Sequence, residues 1–136
     1  MGLLNWFESF FMVLPQAVII HSLIDARLAL SQRRPVTLLS APAAALYGGC
    51  GWWFWLIQAA ETEYPALLDC ADAPGRAVEA LKMGLKGIVL ACEPELFAAV
   101  AELAELHEAL LLPAAPPALD LAVRGAERKL AAWLEG

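Results

Sequence analysis

The chain has 136 residues, of which 60% are hydrophobic and 18% charged, and its net charge at pH 7 is −6. This length fits one domain, spanning residues 1–136, around a single hydrophobic core. Because the charge balance is acidic and no basic cluster exceeds the pair Arg33–Arg34, the composition excludes the basic surface expected of a nucleic-acid-binding protein.

The first fourteen residues, MGLLNWFESFFMVL, form an apolar N-terminal extension. They include no early Lys or Arg, so they lack the charge pattern of a secretory signal. On a helix, one face would carry Leu3, Phe7, Phe10 or Phe11, and Leu14. Membrane attachment through this segment is the third of our hypotheses, because the basic face of a membrane-surface helix is missing.

Residues 17–113 repeat one pattern, in which a short apolar run is followed by a helical segment. Ser22, with Asp25 three residues later, is a variant of the capping box and predicts the start of the first helix. Asp72 is predicted to cap the helix after the third strand, with Pro74 in its first turn. The predicted strands are residues 17–21, 36–40, 66–70, 87–92 and 109–113.

The last helix is predicted over residues 117–135. An apolar stripe with offsets of 4, 3, 4 and 3 runs along it: Leu119, Val123, Ala126, Leu130 and Trp133. This spacing places one apolar seam on one helix face. We expect the seam to cover the sheet or to contact a second subunit, and a homodimer is the expected oligomer.

Apolar strands that alternate with helices predict an α/β fold with a parallel sheet. About five units fit an open, Rossmann-like or flavodoxin-like sheet, or half of a (β/α)8 barrel. Right-handed crossovers make all strands point the same way, so their carboxyl ends share one edge, where α/β folds bind ligands.

Several reactive side chains are predicted at that edge. His21 ends the first strand, Cys70 the third and Cys92 the fourth, and these three are the candidate catalytic residues. A nucleophilic thiol with a histidine base would suit them, and helix N-termini would help to lower a thiol pKa. The candidate ligand-binding residues are Ser40, Gly49, Cys50, Gly51, Asp72 and Glu93.

Each of these residues also has a structural explanation. A cysteine at a strand end is commonly a small buried hydrophobic residue. Asp72 is sufficiently explained as a helix cap, and Glu93 as an acidic residue in a first helical turn. His21 is the most interesting single residue, because a histidine at a strand end is either functional or simply satisfied by hydrogen bonds within the fold, and the sequence leaves both roles open.

The stretch YGGCGWWFW, residues 47–55, lies in a long connection after the second strand. Its glycines would let backbone N–H groups approach an anion at a helix start. It is not a P-loop, since no GK[ST] follows, and Phe54 replaces the last glycine of GxGxxG. Trp52, Trp53 and Trp55 cannot all face inward, because neighbours on a helix point about 100° apart.

No CxxC, HxxxH or HExxH spacing occurs, so the sequence predicts no metal site and no disulfide framework, and it indicates no cofactor. Reduced thiols are typical of a cytoplasmic protein, which is the location that we expect. Residues 35–60 carry no charge, but their prolines and glycine cluster argue against a membrane-spanning helix.

Four strings resemble a family of small, uncharacterised bacterial proteins over residues 17–90: HSLIDARLAL, PVTLLSAP, GWWFWLI and LLDCADAPGRAVEALKMGLKGIVL. The resemblance implies a compact α/β domain and no particular activity. The last string also looks like the later βα units of aldolase-type barrels. No predicted strand contains a lysine, so this likeness concerns architecture and does not extend to Schiff-base chemistry.

Two functional hypotheses lead from these observations. The first is a small self-associating α/β module with a ligand site at the carboxyl edge of the sheet. The second is a small enzyme that uses Cys70 or Cys92 with His21. The sequence does not identify a substrate and leaves open whether the protein is an enzyme.

Overall fold

The computed structural model describes residues 14–136, so the expectations for the N-terminal extension lie outside the described residues, apart from Leu14. The described chain forms a six-stranded parallel sheet with helices between most strands. The strands are β1 Ala17–Ile19, β2 Thr37–Leu39, β3 Ala66–Asp69, β4 Gly87–Val89, β5 Leu110–Leu112 and β6 Ala118–Asp120.

Six helices lie in the described chain, and most begin close to the predicted positions. The N-cap prediction at Ser22 is confirmed, since its Oγ accepts a hydrogen bond from the Asp25 N–H at 3.1 Å. The helices are α1 Leu23–Leu30, α2 Ala44–Tyr47, α3 Gly49–Ala60, α4 Pro74–Met83, α5 Pro94–Leu106 and α6 Ala126–Glu135.

The strand order across the sheet is β5-β4-β3-β2-β1-β6, and every pairing is parallel. The predicted fold class is therefore confirmed as an open parallel α/β sheet. The chain adds strands outward from β1 to β5 and then returns to the free side of β1. The order consequently reverses only at β1, between β2 and β6.

The predicted boundary of the last helix is wrong by about nine residues. Residues 118–120 pair with β1 as β6, and Val123 of the predicted stripe is 60% exposed. The helix begins after Gly125, whose φ of +86° suits glycine. The predicted stripe combines Leu119, an apolar residue of the short strand β6, with apolar residues of the helix that follows. Their helical spacing is a coincidence, because strands in a sheet also carry apolar residues.

The strands alternate strictly between two faces, as the strand geometry requires. One face, which we call the helix-covered face, includes Val18, Leu38, Leu68, Ile88 and Leu111. All six described helices contribute side chains to this cluster, and α6 adds Leu130 and Leu134. Leu130 of the predicted seam lies in this cluster and Trp133 packs against it, so this part of the seam faces the core of the same chain.

The other face, which we call the second face, carries Leu39, Leu67, Val89, Leu110 and Leu112. None of the described helices contributes to this cluster. Helices on one face and the consecutive order of β1 to β5 are features shared with a (β/α)8 barrel. The pairing of β6 with β1 departs from the barrel order, so the sheet is an open one that combines features of both predicted alternatives.

The connection from β5 to β6 requires the sheet to curl. These strands lie at opposite edges, about 24 Å apart in a flat sheet of six strands. Leu112 and Ala118 are joined by six Cα–Cα steps, which span at most about 22 Å. The edges therefore approach each other across the second face, which becomes the concave side.

Candidate functional site

The carboxyl edge of the sheet has one place where the strand order reverses, between β1 and its neighbours. In open α/β sheets and in (β/α)8 barrels alike, ligands bind at the carboxyl ends of the strands. His21 follows β1 by two residues, and Asp120 is the last residue of β6. The β1–β6 register pairs Ile19 with Asp120, so the two polar side chains leave the sheet side by side.

His21 and Asp120 form a close pair. The His21 Nε2 lies 2.7 Å from the Asp120 Oδ1, and the two side chains are 35% and 31% exposed. They are separated by 99 positions in the chain. The contact is therefore a product of the sheet topology, and it leaves part of both side chains accessible to a ligand.

The backbone on both sides of this pair is fixed locally. The His21 N–H donates to the Asp25 Oδ2 at 2.8 Å, so the start of α1 sets the direction of the histidine. On β6, the Asp120 Oδ1 also accepts from the Ala122 N–H at 2.9 Å. A side chain held by its own turn costs less conformational entropy to position than a free one.

The carboxylate also decides which nitrogen of a neutral His21 ring carries the proton. A carboxylate only accepts hydrogen bonds, so the Nε2 facing Asp120 must be the N–H. The Nδ1 then has a free lone pair and acts as an acceptor. The roles of the two ring nitrogens are exchanged relative to a Ser-His-Asp triad, where Nδ1 faces the aspartate and Nε2 acts as the base.

A pocket of about 320 Å³ opens beside the pair at the carboxyl ends of β1 and β2. Apart from His21, its wall is apolar or aromatic. The Trp52 ring approaches the Gly48 backbone closely, since a Cβ at Gly48 would lie 3.3 Å from Trp52 Cε3. The lining residues are His21, Ala41, Ala44, Tyr47, Gly48 and Trp52.

The prediction that the tryptophans of α3 face different ways is confirmed. Trp53 is fully buried, whereas Trp52 is 40% and Trp55 is 70% exposed. Trp52 lines the pocket, and Trp55 lies three positions further along the same helix surface.

Cys70 is a core residue. It follows β3 directly, and its side chain is fully buried in the helix-covered face. Continuing the β3–β4 register beyond Asp69 and Val89 pairs Cys70 with Leu90, which is equally buried. Burial raises the pKa of the Cys70 thiol to about 12, with smaller contributions from Cys50 and Asp69, so the thiol is protonated at neutral pH.

The other two thiols differ from Cys70 in position. Cys50 is buried at the start of α3, and its Sγ donates to the Arg76 carbonyl at 3.4 Å. Burial raises the pKa of Cys50, and the negative charge of Glu79 adds to the effect. Cys92 is half-buried, three residues beyond β4. It therefore does not occupy the position equivalent to Cys70.

The structure does not bring His21 and the thiols together. Cys70 follows β3 and Cys92 follows β4, which lie two and three strands from β1. These separations are about 10 and 14 Å along the sheet. The pairing of His21 with a nucleophilic thiol stays a prediction, and the contacts of the described residues give it no geometric support.

Ser40 has a structural role. Its Oγ accepts from the Asp69 N–H at 2.9 Å and donates to the Ala41 carbonyl at 3.1 Å. The residue is 1% exposed, so its hydroxyl links β2 to β3 and is not available at the surface.

The remaining predicted ligand-binding residues lie outside the pocket wall. Asp72 does not cap α4, because the N-cap residue is Ala73 and no side-chain hydrogen bond caps the helix. Glu93 is the N-cap residue of α5 and likewise makes no capping hydrogen bond. Gly49 and Gly51 belong to the first turn of α3, whereas the neighbouring Gly48 lines the pocket.

A second cavity, of about 360 Å³, opens at the opposite edge of the sheet. Residues at the amino ends of β3, β4 and β5 line it, among them Ala66, Gly87 and Leu110. No cluster of three or more metal-ligating side chains occurs within residues 14–136. Nor does this part of the chain contain a helix long and apolar enough to cross a membrane.

Sequence reasoning missed Asp120 and Tyr47. Asp120 falls inside the predicted helix 117–135, because a strand of three residues between turn-forming segments is too short to show a period. The run of prolines and alanines before β6, residues 113–117, is the signal that could separate this strand from the helix. Tyr47 belongs to the glycine-rich stretch, and no local pattern connects it with His21.

Comparison with known proteins assigns neither a family nor a function to the chain. No protein-family model matches the chain, and the search of curated proteins finds no match. The resemblance to small bacterial proteins is therefore supported only at the level of a small α/β domain.

Proposed function

We propose that this chain binds a small planar molecule in the carboxyl-edge pocket and that the His21 Nδ1 accepts a hydrogen bond from it. The observation that carries the proposal is the His21–Asp120 contact of 2.7 Å at the edge of that pocket. A partly exposed contact between an aspartate and a histidine contributes little to the free energy of unfolding. This favours a role for the His21–Asp120 pair in ligand recognition.

The pocket has the properties of a ligand site. Its volume of about 320 Å³ lies at the lower end of the usual range for small-molecule sites. Trp52 and Tyr47 offer aromatic faces for stacking, and His21 supplies a directional polar group. A flat heteroaromatic ring with an N–H or O–H donor fits this combination.

Catalysis is the second candidate function. A histidine oriented by a carboxylate is the arrangement of a general base, so His21 could take a proton from a bound water or hydroxyl group. This version of the enzyme hypothesis needs no thiol. The version that uses Cys70 or Cys92 requires a nucleophile that is either buried or three strands away.

Self-association also stays a prediction. Large apolar side chains are exposed on α1 and α5, where Ile24 is 80% and Leu106 is 81% exposed. These residues are single and lie on different helices, which is normal at protein surfaces. The α6 seam does not support a dimer, because Leu130 is 1% exposed within the chain.

The test is a ligand-observed NMR screen with hydroxylated and amino-substituted heteroaromatic fragments. Hits are then mapped on ¹H–¹⁵N spectra of the protein. We expect shifts at the Gly48 amide and the Trp52 indole N–H, and the His21→Ala variant should lose about tenfold in affinity.

His107→Asn is the matched control, because His107 lies at the end of α5, away from the pocket. It should retain the affinity of the natural chain. Equal affinity in His21→Ala would refute the assigned role of His21. Shifts confined to the Gly87 region would place the site at the opposite edge of the sheet and refute the proposal.

A further inference from the structure

The second face is apolar on every strand that contributes to it, yet no described helix covers it. Its five central side chains are at most 3% exposed: Leu39, Leu67, Val89, Leu110 and Leu112. Among the described residues, only three partly buried hydrophobic side chains pack against this cluster: Leu14, Ile19 and Ala118. Two of these, Ile19 and Ala118, belong to β1 and β6 themselves, so Leu14 is the one described side chain from outside the strands that packs on this face.

The short connection between β5 and β6 does not fill the concave side either. It passes from one edge of the sheet to the other over residues 113–117, and four of these five residues are exposed. None of them belongs to the second-face cluster. The described residues outside the sheet therefore do not account for the low exposure of these five side chains.

The segment that precedes β1 lies next to the second face. The Pro15 carbonyl accepts from the Thr37 Oγ1 at 2.8 Å, and the Gln16 carbonyl accepts from the Thr37 N–H at 3.0 Å. These two bonds fix the approach to β1. Leu14, the first described residue, packs on the second face.

The thirteen residues before Leu14 have a suitable composition and length. Nine of them are apolar, three of these are phenylalanines, and Glu8 is the single charged residue. A flat sheet of six strands is about 24 Å wide, and curling shortens that distance. Thirteen residues span about 20 Å even at the short rise of a helix, which suffices to reach the middle strands.

We propose that the second face is the docking surface for residues 1–13 of the same chain. In this arrangement, the apolar N-terminal extension completes the core of the domain. It is then not a membrane anchor, and the second face is not a contact between two copies. The cost of exposing five leucine and valine side chains to water supplies the driving force.

The test uses the natural full-length chain with ¹³C-labelled Ile, Leu and Val methyl groups. We expect nuclear Overhauser contacts from the rings of Trp6, Phe7, Phe10 or Phe11 to methyl groups of the second face. In a mixture of labelled and unlabelled chains, filtered spectra should lack these contacts. Their presence there would overturn the proposal in favour of a second copy, and their absence from both samples would overturn it outright.

A soluble paramagnetic agent gives an independent readout of the same methyl groups. Leu67 and Leu110 should be as protected from broadening as Ile88 on the helix-covered face, and Ile24 should be broadened strongly. In the double variant Phe10→Ser/Phe11→Ser, the second face should lose its protection, and Ile88 should keep it.

The matched control for that variant is Trp55→Ser/Leu106→Ser, which removes two exposed apolar side chains. It should leave the second face protected. If the phenylalanine variant also leaves Leu67 and Leu110 protected, the proposal is overturned. A phenylalanine variant that fails to fold leaves the Overhauser measurement on the natural chain as the deciding result.

Discussion

Two regions of the carboxyl edge hold chemically reactive side chains in very different settings. At the β3–β4 end, Cys70 is fully buried and its thiol pKa is raised to about 12. At the β1–β6 end, His21 and Asp120 are about one third exposed and contact each other at 2.7 Å. Residue type alone would rank Cys70 and His21 as equally good catalytic candidates.

The difference follows from where each residue lies relative to the end of its strand. Cys70 follows β3 directly, so the strand alternation still directs its side chain into the helix-covered face. His21 lies one residue further beyond β1, outside the sheet. A shift of one residue at a strand end therefore separates a core position from an accessible one.

The largest effect that tests this comparison is the alkylation rate of Cys70. At pH 8, raising the pKa from 9.0 to about 12 lowers the thiolate fraction about a thousandfold. We expect labelling of Cys70 in the folded chain to be at least that much slower than in urea, as read by peptide mass spectrometry. Comparable rates in both states would mean that Cys70 is an accessible, reactive thiol.

The second test introduces a carboxylate at Cys70 and, separately, at Cys92. Cys70→Asp buries an unpaired carboxylate and should lower the free energy of unfolding by about 3–5 kcal/mol. Cys92→Asp is the matched control at a half-buried position and should cost less than about 1 kcal/mol. Urea denaturation measures the free energy of unfolding of both variants. Similar decreases would contradict the conclusion that Cys70 is a core position and Cys92 is not.

The third test follows stability at high pH. The folded-state pKa of Cys70 is raised above its unfolded value, so its contribution is complete below the unfolded pKa and is lost as pH rises toward about 12. Between pH 9 and 11, the natural chain should lose about 2–3 kcal/mol more than Cys70→Ala. Parallel urea curves for the two proteins across this range would contradict the burial of the thiol.

The smallest effect concerns the opposite end of the edge. Asp120→Asn should change the free energy of unfolding by less than about 1 kcal/mol, because the ion pair is partly exposed. It should nevertheless change the proton distribution on the His21 ring from Nε2–H toward a mixture of tautomers. Long-range ¹H–¹⁵N spectra report the ring nitrogens, with His107 as the unaffected reference.

A large loss of stability in Asp120→Asn would assign the pair to the framework of the fold. An unchanged His21 ring spectrum would show that Asp120 does not select the tautomer. Either result would weaken the contrast between the two ends of the edge and the ligand-binding proposal that depends on it.

Local patterns along the chain were sufficient to predict the fold class and most of the helices and strands. Apolar runs followed by capped helical segments located five strands, and Ser22 marked the start of α1 correctly, because these signals act over a few neighbouring residues. The same local signals predicted that the α3 tryptophans face different ways. The strand β6 was not predicted, because three residues are too few to show the two-residue alternation of a strand.

Which residues share a site depends on contacts between distant parts of the chain. His21 meets Asp120 because the chain returns to the free side of β1 after building the sheet out to β5. Local patterns contain no information on that return. The burial of Cys70 and the one-sided placement of the helices likewise depend on how whole strands and helices pack, which is where long-range contacts outweigh local preference.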